Sequence, residues 1–112
     1  MIYIRNIKNL NGNFDEISMK IENEILAASS SATLEDETWF RSSDSRCAVK
    51  VFERYSAFGG NRVSLTVTIF EDKDAITVSG ITSGGSQAIF LKMNTLGEET
   101  FLNLFQKIVD SL

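Results

Sequence analysis

Glu53 is the strongest candidate in the sequence for a residue that binds a ligand. It follows Val49 and Val51 in a run of alternating apolar residues, and this alternation places its carboxylate on the same inward face. Removing a carboxylate from water raises its pKa and makes it a proton acceptor or a ligand anchor. Two structural alternatives stay open: a β-bulge that turns Glu53 outward, or a hydrogen bond to Tyr55 or Gln87.

Two other groups of residues have types that can do chemistry. The run from Ser83 to Ser86 holds two glycines, but it lacks the lysine and the strand-loop-helix context of a phosphate loop. A two-residue hairpin turn explains these glycines better. Glu98 and Glu99 could act as an acid-base pair, or bind a metal together with Asp36. Because neighbours on a helix point about 100° apart, we interpret both as charges that stabilise a helix N-terminus.

Histidine is absent, which removes the commonest general base and the commonest zinc ligand. Its absence also removes every Ser-His or Cys-His arrangement for nucleophilic catalysis. The single cysteine, Cys47, has apolar neighbours, which is typical of a small core residue rather than a reactive thiol. The sequence therefore predicts no cofactor and no metal site, and it gives an enzyme little support.

Length and charge narrow the class of protein further. The 112 residues predict a single α+β domain spanning 1–112. A net charge of -4 argues against nucleic acid and anionic membranes as partners, because both require a basic surface. Arg5 and Lys8 interrupt the first apolar residues, so a signal peptide is not expected, and no run approaches the roughly 18 apolar residues of a membrane span. We predict a cytoplasmic protein.

The apolar periodicity predicts one antiparallel β-sheet with two helices on one face, in the order β-α-β-β-β-β-β-α. A first strand covers Ile2 to Ile7, and Asn13 with Glu16 forms the capping box of a first helix. An edge strand covers Ser30 to Asp36. A four-stranded meander follows, and the last helix begins at Thr95 or the next residue. This order is similar to that of helix-grip and TATA-binding-protein-like folds.

Tight turns at 72–73 and 84–85 predict how the last three strands of the meander pair. We extend this register to the preceding strand by pairing Val51 with Val67. On this map the inner face turns polar toward one end and loses side-chain volume at a glycine, as the mouth of a pocket does. The sequence therefore predicts a small-molecule pocket between the sheet and the C-terminal helix, lined by Glu53, Tyr55, Gly80, Thr82 and Gln87.

The opposite face of the predicted sheet is mostly polar but carries two phenylalanines. A solvated face rarely needs both, so we predict a homodimer interface there, formed by Phe52, Arg54, Ile81 and Phe90. Basic residues on this face, with phenylalanines as stacking platforms, would also suit single-stranded nucleic acid. The net charge of -4 favours a solvated or dimerising face instead.

Four blocks of sequence resemble a family of small uncharacterised bacterial proteins known as a domain of unknown function. The blocks are Glu53 to Ser56, Gly60 to Leu65, Ile81 to Ala88, and Asn94 to Glu99 followed by Phe101 and Leu102. The resemblance covers most of the chain from about residue 29 to residue 102. It implies no activity, substrate or catalytic residue.

Two functional hypotheses follow from the sequence. The first is a non-catalytic small-molecule binding domain that uses the pocket beside Gly80. The second is a homo-oligomeric interaction module that uses the outer face of the sheet. An enzyme is a third class, for which no catalytic residues can be named.

Overall fold

Seven elements make up the fold. The structure, a computed structural model, describes residues 1–8, 13–55, 61–84 and 91–112. In chain order the elements are β1 (Ile2–Lys8), α1 (Phe14–Ala28), β2 (Thr33–Arg41), β3 (Ser45–Tyr55), β4 (Arg62–Asp72), β5 (Ala75–Gly84) and α2 (Leu91–Asp110). Within these residues the strands form one antiparallel sheet in the order β1-β5-β4-β3-β2. The predicted α+β class is confirmed.

The alternating pattern of β4 explains how the sheet acquires a covered face. Val63, Leu65, Val67 and Ile69 point to one side and are fully buried. Ile76 and Val78 of β5 are buried on the same side, where both helices pack. We call this helix-covered side the inner face and the opposite side the outer face.

Helix α1 begins and ends close to where the periodicity predicts. Its apolar residues Phe14, Ile17, Ile21 and Ile25 are buried. Asn13 occupies the N-cap position but has φ -77° and ψ 17°, outside the extended conformation of a capping residue, and its side chain makes no capping bond. The capping-box prediction is therefore wrong, and burial of the apolar stripe accounts for the position of the helix.

Helix α2 begins before the predicted start at Thr95. The predicted last strand of the meander is wrong for Leu91 and Met93, because both lie in this helix. Ile89 lies outside the described residues. Three alternating apolar residues fit the first turns of a helix as well as a short strand. The edge of β5 that this strand would use is taken by β1, which pairs along it from Ile2–Ile81 to Lys8–Ala75.

The edge strand β2 is longer than predicted. It continues through Trp39 and Phe40, beyond the predicted end at Asp36, and it ends at Arg41. Strand β2 is a true edge, as predicted, because β3 is its partner on one side and it ends the strand order. A run of acidic residues makes β2 hard to predict as a strand, because acidic residues are uncommon in strand interiors.

The turn between β4 and β5 lies one residue later than predicted. Asp72 pairs with Ala75, and Lys73 adopts a positive φ of 56°. Ile69 therefore pairs with Val78 and not with Ile76. This register error is two residues, so the predicted faces of β4 and β5 are still correct.

The predicted register between β3 and β4 is wrong by one residue. This error has a larger consequence than the two-residue error between β4 and β5. Lys50, not Val51, pairs with Val67, and Phe52 pairs with Leu65. A shift by one residue moves every β3 side chain to the other face. The inner face of β3 therefore carries Ala48, Lys50, Phe52 and Arg54, while Val49, Val51, Glu53 and Tyr55 face outward.

Candidate functional site

The predicted pocket residues are divided between the two faces of the sheet. Glu53 and Tyr55 lie on the outer face, whereas Gly80 and Thr82 are buried on the inner face. Gln87 lies outside the described residues. The sheet itself separates the two pairs, so the described four do not line one cavity.

The space beside Gly80 is occupied by helix α2. The ring of Phe105 lies so close that a Cβ at position 80 would overlap it. Phe105 is fully buried and also contacts Tyr3 of β1 edge-to-face, with ring centroids 6.4 Å apart. Gly80 therefore allows the helix to approach the sheet closely, which is a structural reason for a glycine in a strand.

Glu53 takes part in an ion pair on the outer face. Its Oε1 accepts a hydrogen bond from Arg62 Nε at 2.6 Å, and Arg62 Nη2 also lies 3.4 Å from Glu35. The hydrogen bond to Glu53 raises the pKa of Arg62. The Arg62 guanidinium also lies over the ring of Tyr55, 5.4 Å from its centroid. The predicted desolvated carboxylate is therefore a paired, partly exposed one.

The predicted interface residues are also divided. Ile81 is on the outer face and is 46% exposed, as the prediction requires. Phe52 and Arg54 are on the inner face, so the expectation that they face outward is wrong, for the same one-residue reason. Phe90 lies outside the described residues.

The outer face nevertheless has the properties of an interface, formed by other residues. Three rows of side chains cross all five strands. From the end where β4 turns into β5, the rows are Phe40, Cys47, Phe70, Thr77 and Asn6; Thr38, Val49, Thr68, Ser79 and Ile4; Asp36, Val51, Thr66, Ile81 and Ile2. We call these positions the central outer rows. Asp36 is their only charged residue, although 23% of the chain is charged.

Large apolar side chains stand exposed at two corners of the central outer rows. Phe40 and Phe70 flank Cys47 at one corner, and Phe40 is 60% exposed. A shallow cleft of about 180 Å³ lies beside these three residues. Ile2, Ile4 and Ile81 form the opposite corner, each about half exposed. Burial raises the pKa of the Cys47 thiol, which lies between the two aromatic rings at this corner.

Phe40 and Phe70 were missed as site residues, although the sequence contains signals for them. Phe70 directly follows the inward-facing Ile69, so the period of two places it outward. Trp39 and Phe40 are adjacent aromatic residues, which on a strand must point to opposite faces. Because the predicted edge strand ended at Asp36, that consequence was not drawn.

Charged residues lie on both faces of the sheet, but on the outer face most of them lie outside the central outer rows, as Glu53 and Arg62 do. Three ion pairs connect inner-face cations to the helices: Arg46 Nη1 to Asp15 Oδ2 at 3.5 Å, Lys50 Nζ to Glu22 Oε1 at 2.6 Å, and Arg5 Nη1 to Asp110 Oδ1 at 2.6 Å. A face that is buried normally excludes charge, and an open face normally carries it. Here the inner face carries paired cations and the central outer rows carry one charge, which singles out these rows as a surface that needs an explanation.

The described elements define a class: a two-layer α+β domain with two helices on one side of a five-stranded sheet. In the part of the chain that the structure describes, no helix is long and apolar enough to cross a membrane. The same residues hold no group of three His, Cys, Asp or Glu side chains that could bind a metal ion.

The chain belongs to DUF6054, a family of unknown function, whose model matches residues 5–112. Membership of a family of unknown function is thereby confirmed. No curated protein and no solved structure matches the chain. The similarity of its element order to helix-grip and TATA-binding-protein-like folds stays a prediction.

Proposed function

We propose that this protein is a homo-oligomeric interaction module whose central outer rows bind the same rows of a second copy. The observation that carries the proposal is the near absence of charge from the central outer rows, where Asp36 is the only charged residue. The core of a protein interface is depleted in charged residues, and exposed apolar patches mark interaction sites. The central outer rows meet both descriptions.

The charge of the chain makes a second copy the best-supported occupant. Two copies each carry a net charge of -4 and repel each other. That repulsion costs least where the contact surface is uncharged, and the central outer rows are the part of the sheet that satisfies this condition. An isologous dimer uses one patch twice, so it needs no second specialised surface.

The size of the face fits a stable dimer. Strands lie about 4.8 Å apart and alternate residues about 6.8 Å apart, so five strands and the three central outer rows cover roughly 500 Å² as a flat projection. The accessible area of a corrugated surface is larger than its projection. A standard interface buries about 800 Å² per partner. Two sheets packed face to face, about 10 Å apart, would give a four-layer dimer with helices outside.

The small-molecule hypothesis has less support. Phe105 fills the space beside Gly80, and the pair of Glu53 with Arg62 satisfies the carboxylate that was to anchor a ligand. The geometry therefore favours the second hypothesis over the first.

Sedimentation velocity over a range of concentrations tests the proposal. The parent protein should sediment as a dimer at high micromolar concentration. Phe40→Ser should raise the dimer dissociation constant at least about fivefold, the usual effect of losing a contributing aromatic residue. Met19→Ser is the matched control, because Met19 is 51% exposed on α1, away from the outer face. It should leave the dissociation constant unchanged.

Cys47 provides a second measurement within the same experiment. It lies between Phe40 and Phe70, so dimerisation should slow its reaction with a maleimide as protein concentration rises. Circular dichroism establishes that each variant is folded. A parent protein that is monomeric at high micromolar concentration, with a thiol reaction rate independent of concentration, would overturn the proposal.

A further inference from the structure

Two cations of the inner face, Lys50 and Arg54, lie on the same strand four residues apart but have different surroundings. Lys50 is only 1% exposed, and its Nζ is 2.6 Å from Glu22 and 3.8 Å from Glu37. It also lies 5.2 Å from the centroid of the Trp39 ring. Its charge is therefore compensated on several sides, as buried charges normally are.

Arg54 has no such compensation among the described residues. Its guanidinium carbon lies 4.5 Å from the centroid of the Phe101 ring of α2, which is a stacking contact and not an ion pair. Its Nε is buried and has no hydrogen-bond partner within the described part of the chain. Burial lowers the pKa of Arg54, and no described carboxylate acts in the opposite direction. Even so, a guanidinium stays charged at neutral pH.

Burial of Arg54 Nε is costly for the fold, because its water has been removed and no described group has replaced it. Stacking on Phe101 fixes the plane of the group. A guanidinium presents its N–H donors at its edge, in the geometry that matches a carboxylate or a phosphate. The sheet next to Arg54 offers no competing acceptor side chain, since Val63 lies opposite it and Gly84 lies opposite Val63.

We infer that Arg54 and Phe101 form a binding site for an oxyanion of a small ligand, carboxylate or phosphate, between the sheet and helix α2. The site lies on the inner face and is independent of the proposed dimer. The proposed ligand lies between the sheet and the C-terminal helix, as the sequence predicts, but the sign of its charge is the opposite of the predicted one. With Glu53 inward the ligand would be cationic, and with Arg54 inward it is anionic.

Thermal unfolding and ligand titration test this site. The probes are sodium phosphate and sodium benzoate, each compared with sodium chloride at the same ionic strength. Either probe should raise the unfolding temperature of the parent protein and shift the ¹⁵N resonance of Arg54 Nε. A benzoate response alone identifies a carboxylate, and a phosphate response alone identifies a phosphate. No response to either probe beyond that of chloride overturns the inference.

Arg54→Met should remove the costly charge while keeping the packing against Phe101. We expect this variant to unfold at a higher temperature than the parent without added anion. It should bind the effective probe at least about tenfold more weakly, as expected for loss of a charged hydrogen-bond donor. Arg62→Met is the matched control, because Arg62 is exposed and already paired with Glu53. It should retain the full response.

Two further variants separate this inference from its alternatives. Phe40→Ser should keep the response, because the site does not depend on the outer face; if Phe40→Ser abolishes it, the anion acts through the dimer and the inference is wrong. Glu98 precedes Phe101 by three residues in α2, so Glu98→Gln tests whether the partner of Arg54 lies within the chain. If Glu98→Gln destabilises the parent but not Arg54→Met, the partner of Arg54 lies within the chain and the inference is also wrong.

Discussion

The inner and outer faces of strand β4 differ in burial and in the charges that surround them. Its inward residues Val67 and Ile69 are fully buried, while their neighbours Thr66 and Thr68 are half-buried on the outer face. On the neighbouring strands, the inner face carries cations that reach acidic residues of the helices, and the outer face carries almost none. The comparison teaches that burial alone does not decide where this protein places charge. The cations of the inner face lie against the helices, Arg5, Arg46 and Lys50 on carboxylates and Arg54 on an aromatic ring, and the central outer rows carry no cation.

The largest expected effect is the loss of stability caused by a charge placed on the inner face. Val67→Asp would bury an unpaired carboxylate in a central strand. We expect a loss of at least about 4 kcal/mol in the free energy of unfolding. Thr66→Asp, one residue away on the outer face, should cost less than about 1 kcal/mol in the monomer and weaken the dimer. Urea denaturation with sedimentation measures both. Equal losses of monomer stability would show that the two faces are not distinct.

The close approach at Gly80 provides an intermediate effect. Gly80→Ala should cost about 1–3 kcal/mol in the free energy of unfolding, because the new methyl group must displace the ring of Phe105. Ser79→Ala, its neighbour on the outer face, is the control and should be nearly neutral. In a Phe105→Leu background, Gly80→Ala should cost less. A double-mutant cycle by urea denaturation measures this coupling, and additive costs would mean that the ring is not what excludes a side chain at position 80.

The smallest effect concerns the rim of the inner face, where β1 meets the end of α2. Hydrogen bonds from Tyr3 and Arg5 lower the pKa of Asp110 below its ordinary value of 3.8. The unfolded chain therefore takes up this proton at a higher pH than the folded chain. The stabilisation is present above pH 3.8 and is lost as the pH falls through the lower, folded pKa.

Urea midpoints measured between about pH 2 and pH 5 check this sign. The parent should lose stability more steeply than Asp110→Asn as the pH falls, so the two curves converge at the acidic end. Tyr3→Phe should give an intermediate slope, because Arg5 still binds the carboxylate. Parallel curves for the parent and Asp110→Asn would contradict the prediction.

Local patterns predicted much of this fold correctly. The helical spacing of Phe14, Ile17 and Ile21 located α1, and the period of two in Val63, Leu65 and Val67 located β4 and its buried face. Both patterns depend on residues close together in the chain, and their periods differ clearly. The α+β class followed from these elements alone.

The position of Glu53 shows where local patterns are insufficient. Both faces of β3 carry apolar residues, Phe52 on one side and Val49 and Val51 on the other, so alternation alone does not say which face is covered. A correct register would have required knowing that α1 supplies Glu22 for Lys50 and that α2 supplies Phe101 for Arg54. These partners are distant in sequence, and they are what allow two cations to face inward.

The amino-acid pattern was sufficient for helix α1, strand β4 and the inward face of β4, because each depends on neighbours in the chain. The face of every β3 side chain, and with it the sign of the charge under α2, depended on the packing of both helices against the sheet. A single residue of register separates the two outcomes, since strand side chains alternate with a period of two. Tertiary contacts alone supply the free energy that selects one register over the other.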